Sequence, residues 1–537
     1  MTAGDRHEGC QVRFSKVVGA LLVSLYLLAV PREALANDIQ ITNLTVHPYS
    51  GGNGEVEFDI TWQNSWRSTT EPYNWDAAWI FCKIRRNGGN WAHLKLNTSG
   101  HTIPSTPQAI TTAMGLVDPT IAHNSSTNPA VGIFLHRTND GFGTFTANDV
   151  RLQWNYSDNG ASSGDVVEIR VFGIEMVYIP QAEFYAGDGS ADSGGTASRL
   201  KEGSSDTDPW YINSENAISV TNASSNGYYY VTDPYADDDA TGTAFSIPAS
   251  YPKGYKALYM MKGEISQSQW VAFFNTLTSS QKTSRDTTGN KAGAGGKNSD
   301  SLLFRNNVSW TSGDATLPDQ GGGATYAGVA MNYLSWSDFV SYLDWSGLRP
   351  MSELEYEKAA RGPKTAVSGE YAWGSTNITQ ATSVSDAGLS SERAQAGSNI
   401  NHDYGIVGPL RVGSFAKGVN TRGASGAGFY GAMDLSGNLL DMVVTIGNST
   451  GRSFEGRYHG DGILSTSSGS EGDANVSTWP GVSTSVGSGA RGGSWGYNDR
   501  ARISDRTFGG RPMGWRSEDL GGRGVRLDPV TAGNGVN

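Results

Sequence analysis

From Gly362 to its C-terminus the chain sustains neither helical nor strand periodicity, yet aromatic residues keep recurring: Trp373, Phe429, Tyr430, Trp479, Trp495 and Trp515. Glycine, serine, threonine and asparagine fill the intervals. Such a stretch has no continuous apolar face with which to build a helix bundle or an open sheet. Its aromatics also set it apart from a solvated tail, which is poor in them. What satisfies both facts is a set of long loops packed on a compact scaffold, and the scaffold has to come from upstream.

Three helix starts lie in that upstream region, each a serine followed three residues later by an acid or amide. They are Ser266/Gln269 before Trp270, Phe273 and Phe274; Ser335/Asp338 before Phe339, Val340 and Leu343; and Ser352/Glu355 before Tyr356 and Ala359. The pattern predicts capping boxes, in which each side chain satisfies the other residue's backbone N–H. This unit begins near Met176-Val177-Tyr178-Ile179-Pro180 and is expected to span residues 173–537.

Before it, short apolar runs alternate with turn residues. Glu55 to Trp62, Ala77 to Arg86, Val131 to Arg137, Val150 to Tyr156 and Val166 to Phe172 read as strands, predicting an antiparallel β-sandwich domain over 37–172. His93, His101, His123 and His136 are scattered among turn residues without metal-ligand spacing. Cys82 shares a strand face with Ile80 and Ile84 and reads as a buried apolar residue.

The first 36 residues read as a secretory signal peptide. Arg6, Arg13 and Lys16 precede an apolar run from Val17 to Val30, and Ala34-Leu35-Ala36 supplies a small-x-small cleavage site. The run is shorter than the ~20 residues a spanning helix requires. The mature chain is therefore expected to be exported to a periplasmic, cell-surface or extracellular site with no transmembrane segment. Cys10 leaves with the signal and Cys82 remains alone, so no intramolecular disulfide forms. A formal charge of −12 without a Lys/Arg cluster argues against nucleic acid as a partner.

Several segments of the 173–537 unit, taken in order, resemble the formylglycine-generating enzyme, or sulfatase-modifying factor, family. They are Gly263 to Trp270 (GEISQSQW), Leu334 to Trp345, Leu348 to Gly362 (LRPMSELEYEKAARG), Tyr371 to Gly374 (YAWG) and Gly428 to Leu440. Arg491 to Trp495 (RGGSW), Arg502 to Arg506 and Gly524 to Arg526 complete the series. The resemblance implies an α+β, loop-rich, C-type-lectin-like domain, here preceded by the sandwich. It also implies a copper oxidase whose two cysteines come after the G-G-S-W element. Those positions hold Tyr497 and Arg502, and neither phenol nor guanidinium replaces the thiolate that selects Cu(I).

Other chemistry finds little support. His402 and His459 are too few for a three-histidine iron site, and neither lies in an H-x-x-x-H arrangement. Gly492-Gly493-Ser494-Trp495-Gly496 fits G-x-S-x-G but is followed by loop residues rather than a helix. Gly293 to Asn298 lacks phosphate-loop spacing, so no nucleotide is expected.

The leading reading is thus a secreted or cell-surface, non-catalytic binding or structural protein. Its C-terminal loops form a ligand-facing surface, with Tyr497, Asn498, Asp499, Phe508 and Trp515 as ligand-binding residues. Planar aromatics beside arginine forks and short amides suit an extracellular protein or glycan ligand. Arg502, Arg506 and Arg526 read instead as structural partners of buried carboxylates. Two alternatives stand beside this: an oxidoreductase of the family, and a self-associating subunit of an extracellular homopolymer joined by edge strands. The resemblance further implies structural calcium at Asp434, Gly437, Leu439 and Asp441, through the carboxylates of Asp434 and Asp441 and the carbonyls of Gly437 and Leu439. Exported protein is predicted to begin at Asn37. Intact-mass measurement checks this, and a mass that retains residues 1–36 contradicts it.

Overall fold

The computed structural model describes residues 10–13, 39–103, 108–114, 130–189, 200–203, 208–233, 238–289, 295–416 and 421–529. Lys16, the apolar run, the Ala34-Leu35-Ala36 site and His123 lie outside them. The fold is sheet-rich, with few helices, and consistent with an α+β class.

The N-terminal strands are β1 (Gln40–Tyr49), β2 (Asn53–Arg67), β3 (Asp76–Arg86), β4 (Gln108–Met114), β5 (Ala130–Arg137), β6 (Gly141–Asn155) and β7 (Val166–Ile179). Alternation in β2 puts Val56, Phe58, Ile60 and Trp62 on one face. They share a buried core with Ile80, Cys82 and Ile84 of β3, Val150 and Leu152 of β6, and Val167 and Ile169 of β7. Cys82 is fully buried there, and burial pushes its thiol far up from the ordinary range. β1, β2 and β6 form one antiparallel sheet in the order β1-β2-β6. The larger sheet carries β3 as an inner strand, and the opposite face of β3 presents Ala77, Trp79 and Phe81 to a second core.

That second core belongs to the C-terminal part. Its strands include β8 (Leu258–Met261), β9 (Arg349–Pro350), β10 (Leu440–Val444), β11 (Ser488–Arg491), β12 (Leu520–Gly521) and β13 (Gly524–Leu527). The large sheet runs β9-β13-β8-β7-β3-β5-β4. β7 pairs with β3 from Val167 to Val177 and with β8 from Met176 to Ile179. It crosses residues 172 and 173, where the sequence suggests a division, as one continuous strand. Cys10–Arg13 also pairs with β7, at Val166 to Ile169, so cleavage after Ala36 would remove a strand from this edge.

Helices α1 (Gln267–Phe274), α2 (Ser279–Arg285), α3 (Trp336–Ser346) and α4 (Glu353–Arg361) are short. The three expected capping boxes are all formed, at Ser266/Gln269, Ser335/Asp338 and Ser352/Glu355. A fourth, Thr278/Gln281, starts α2. Each stabilises its helix by about 0.5–2 kcal/mol. Trp336, Phe339, Val340 and Leu343 of α3 fill the core against Trp79 and Phe81 of β3.

Lys83 on β3 fastens the two parts together. Its Nζ donates to Trp345 O at 2.7 Å and Gly462 O at 3.0 Å, and lies 3.1 Å from His93 Nδ1. Trp345 is in the last turn of α3, where carbonyls have no partner within the helix. Burial lowers the Lys83 pKa to about 7, against the opposing pull of Asp344 and Asp461. An unfolded lysine keeps its proton to about 10.4. Between those values the unfolded chain binds the extra proton, so the Lys83 contribution makes stability rise with pH. We predict that Lys83→Met flattens the rise in Tm between pH 7 and 10 seen by calorimetry. It should also cost about 2–4 kcal/mol through the acceptors it strands. An unchanged slope contradicts this role.

Candidate ligand-binding surface

Glu353, Glu357 and Arg361 are spaced four apart along α4 and lie on one face, all fully buried. Arg491, at the end of β11, places Nη1 3.0 Å from Glu353 Oε2 and Nη2 2.6 Å from Glu357 Oε1. Arg506 forks onto the same Glu353, with Nη2 2.8 Å from Oε1. Arg361 pairs with Glu357 at 3.0 Å and with Glu370 at 2.5 Å. Burial pushes the Glu357 carboxyl up, but Arg491 and Arg361 outweigh it and hold the group below its ordinary range.

These guanidinium groups also carry the adjoining loop. Arg491 donates to Asp505 O at 2.9 Å and Ile503 O at 2.7 Å, and Arg361 donates to Ser504 Oγ at 2.7 Å. Residues 503–506 are thereby hung on α4 by side chains rather than by a backbone ladder. Ser494 is buried in a turn with no helix after it, which removes the nucleophile-elbow geometry.

The hung loop assembles an aromatic and cationic layer. Tyr497 and Phe508 meet with ring centroids 5.4 Å apart. Arg500 lies over Phe508 at 4.8 Å and over Tyr497 at 5.4 Å. Arg511 lies over Trp515 at 4.3 Å and Phe508 at 5.5 Å. Of the expected ligand residues, Tyr497, Phe508 and Trp515 come together, with Phe508 buried and the other two half-exposed. Asn498 stands exposed beside them, and Asp499 makes a surface ion pair with Arg500 at 3.4 Å.

Two neighbours of the layer, Arg500 and Tyr404, were not singled out in the sequence. Arg500 owes its place to loop geometry, and Tyr404 comes from a loop nearly a hundred residues earlier. The Tyr404 N–H donates to Trp495 O at 2.7 Å, the Asp403 N–H donates to Tyr497 O at 3.1 Å, and the Tyr404 ring is 63% exposed. Inside the layer, Asp505 is buried, yet its Oδ2 has no hydrogen-bond partner, and neither does Nη1 of Arg500. Burial, opposed by the Thr507 N–H, raises the Asp505 pKa to about 6.

Arg506 pairs with a buried carboxylate as the sequence suggests. Arg526 does not: it is buried against Trp79 at 4.5 Å and donates to Gly347 O. Arg502 is half-exposed and its Nε has no hydrogen-bond partner. His459 is fixed in the core, where Nε2 accepts the Leu527 N–H at 3.0 Å.

Both carboxylates of the proposed calcium set already accept hydrogen bonds, whereas at Leu439 and Gly437 it is the N–H groups that are bonded. Both Asp441 oxygens take Arg523 Nε at 3.0 Å, and Asp434 Oδ2 takes the Gly413 N–H at 2.8 Å. Leu439 meets Glu264 through its N–H at 2.9 Å, and the Gly437 N–H donates to Gly492 O at 2.8 Å. Calcium takes six to eight oxygens at about 2.3–2.6 Å, and here the Arg523 guanidinium group stands against both Asp441 oxygens.

Residues 225–527, more than half the chain, match the family model of the sulfatase-modifying factor enzyme 1-like domain. The chain belongs to this family. No curated protein matches the sequence. Within the sulfatase-modifying factor region lie α4, Arg491, Arg506 and the whole aromatic layer, whereas β1 to β7 precede it. Glu353→Gln would leave Arg491 and Arg506 buried with one compensating charge fewer. We expect a loss of about 3–5 kcal/mol by denaturant titration, and less than additive loss when Arg506→Met is combined with it. Independent, additive effects would contradict the shared frame.

Proposed function

We propose that this member of the sulfatase-modifying factor family is an exported, non-catalytic binding protein. In this reading a C-type-lectin-like unit, 173–537, presents the Tyr497–Phe508–Trp515 layer, and a β-sandwich, 37–172, carries it. The observation that carries the reading is the layer itself. Two arginines lie over three aromatics, beside a buried Asp505 carboxylate oxygen and an Arg500 Nη1 that lack hydrogen-bond partners. Buried polar groups left unpaired are costly, and a polar ligand that both donates and accepts satisfies them.

The oxidase reading lacks its reactive groups. Tyr497 and Arg502 stand at the positions matched to the cysteines, and Cys82 is sealed in the core between the N-terminal sheets. Its thiol, raised by burial, supplies no thiolate at neutral pH.

The test has two arms on the purified exported chain. A sulfatase-type cysteine peptide with added copper is expected to yield no formylglycine by peptide mass spectrometry, and turnover above a denatured control contradicts the proposal. On a glycan array, or against a protein ligand found by pull-down, Arg500→Ala and Trp515→Ala should each cost about 2 kcal/mol, roughly 30-fold in Kd. Binding that involves donation to Asp505 should weaken as pH falls through about 6. Equal affinity in both variants would move the ligand elsewhere.

A further inference from the structure

The polar centre beneath the Asp434–Asp441 turn already contains a cation. Arg523 enters it just before β13, and every N–H of its guanidinium group has an oxygen within 3.5 Å. Nε addresses both Asp441 oxygens at 3.0 Å. Nη2 lies 2.9 Å from Asp441 Oδ2 and 3.1 Å from Asp434 O. Nη1 donates to Met433 O at 2.6 Å and to Lys262 O at 3.5 Å. Arg523 is fully buried, and each of its three nitrogens donates a hydrogen bond.

The local backbone explains how it gets there. Gly522 and Gly524 flank Arg523. A Cβ on Gly522 would stand 2.8 Å from Phe339, and one on Gly524 would stand 2.4 Å from Leu343. With glycine on both sides the chain lies directly on α3, and the long side chain is aimed across the core at Asp441.

We infer that Arg523 is a built-in cation that takes the place of calcium in this turn, so that the fold is held there without metal. One carboxylate and three main-chain carbonyls surround it, the kinds of oxygen that calcium would take, but at N–H···O distances and in the plane of a guanidinium group. Asp434 and Glu264 close the surroundings. Glu264 accepts the Leu439 N–H at 2.9 Å and the Asn438 amide at 2.5 Å. Among the described residues no three His, Cys, Asp or Glu side chains converge as metal ligands do. Because the arginine is covalently part of the chain, the turn cannot lose its cation to a chelator or to a change in calcium level.

Removal of Arg523 would leave Glu264, Asp434 and Asp441 as buried carboxylates facing a vacated space large enough for an ion and water. Arg523→Ala should therefore acquire a calcium dependence that the parent lacks.

Calorimetry of the full exported chain, with calcium chloride and with EDTA, tests this. The wild-type Tm is expected to be the same in both. Arg523→Ala is expected to melt several degrees lower in EDTA and to regain part of that loss in calcium, with one equivalent bound by elemental analysis. If the variant is recovered folded only when purified in calcium, the inference is equally supported. Asp441→Asn with Arg523→Ala removes one carboxylate together with the cation and should fold without responding to calcium. A calcium-dependent wild-type Tm overturns the inference, as does an Arg523→Ala variant indifferent to calcium, whether folded in both buffers or in neither.

Discussion

Burying a charge costs several kcal/mol unless a partner is built alongside it, and the C-terminal half of this chain is organised around that constraint. Glu353 and Glu357 on α4 sit at zero exposure with Arg491 and Arg506, which arrive from sequence more than 130 residues away. None of these groups is tolerable there alone, so helix, strand and loop have to assemble together. The result answers the problem set by a glycine-rich stretch without periodicity. Residues 503–506 lack a sheet ladder, and arginine side chains take over the work of holding their carbonyls. The aromatic layer of Tyr497, Phe508 and Trp515 inherits its shape from that frame.

The same device recurs at the helix caps. Asp338 accepts the Ser335 N–H at 3.0 Å as the capping-box acid of α3, and Arg516 Nε lies 2.7 Å from the same Oδ2. Glu355 accepts the Ser352 N–H at 2.9 Å as the capping acid of α4, and also takes Arg349 Nη1 at 2.8 Å. A local signal that starts a helix is thereby also a tertiary anchor. Helices this short are marginal by themselves, and these arginines tie their first turns to the rest of the domain. On the N-terminal side Lys83 does the corresponding work at the last turn of α3, joining the sheet of β3 to the helix layer.

What could be read from the sequence was what depends on neighbours in sequence. The serine and acid or amide pairs gave the helix starts, and alternation gave β2, β3 and β7 with Cys82 on its buried face. Long-range packing was not legible near Phe172-Gly173: β7 runs through as one strand, and a Cβ on Gly173 would stand 2.9 Å from Ile39, so the glycine serves close packing there. In the same way, nothing within Asp434 to Asp441 announces Arg523, 82 residues after Asp441, whose Nε meets both Asp441 oxygens. Tyr497, Phe508 and Trp515 stood out as aromatics between motif positions. Arg500 and Tyr404 did not, because only the folded loops bring Arg500 over Tyr497 and Phe508 and the Tyr404 ring against Trp495.

The α4 carboxylates are thus the groups that hold the loop of residues 503–509 in place. Hydrogen–deuterium exchange compared between wild type and Glu357→Gln tests this most directly, since Glu357 anchors Arg491 and Arg361 and accepts the Gly187 N–H at 2.7 Å. Loss of protection confined to Gly187 and residues 503–509, with Val56 to Trp62 unchanged, is the predicted result. Protection of 503–509 that is the same in both proteins would contradict it.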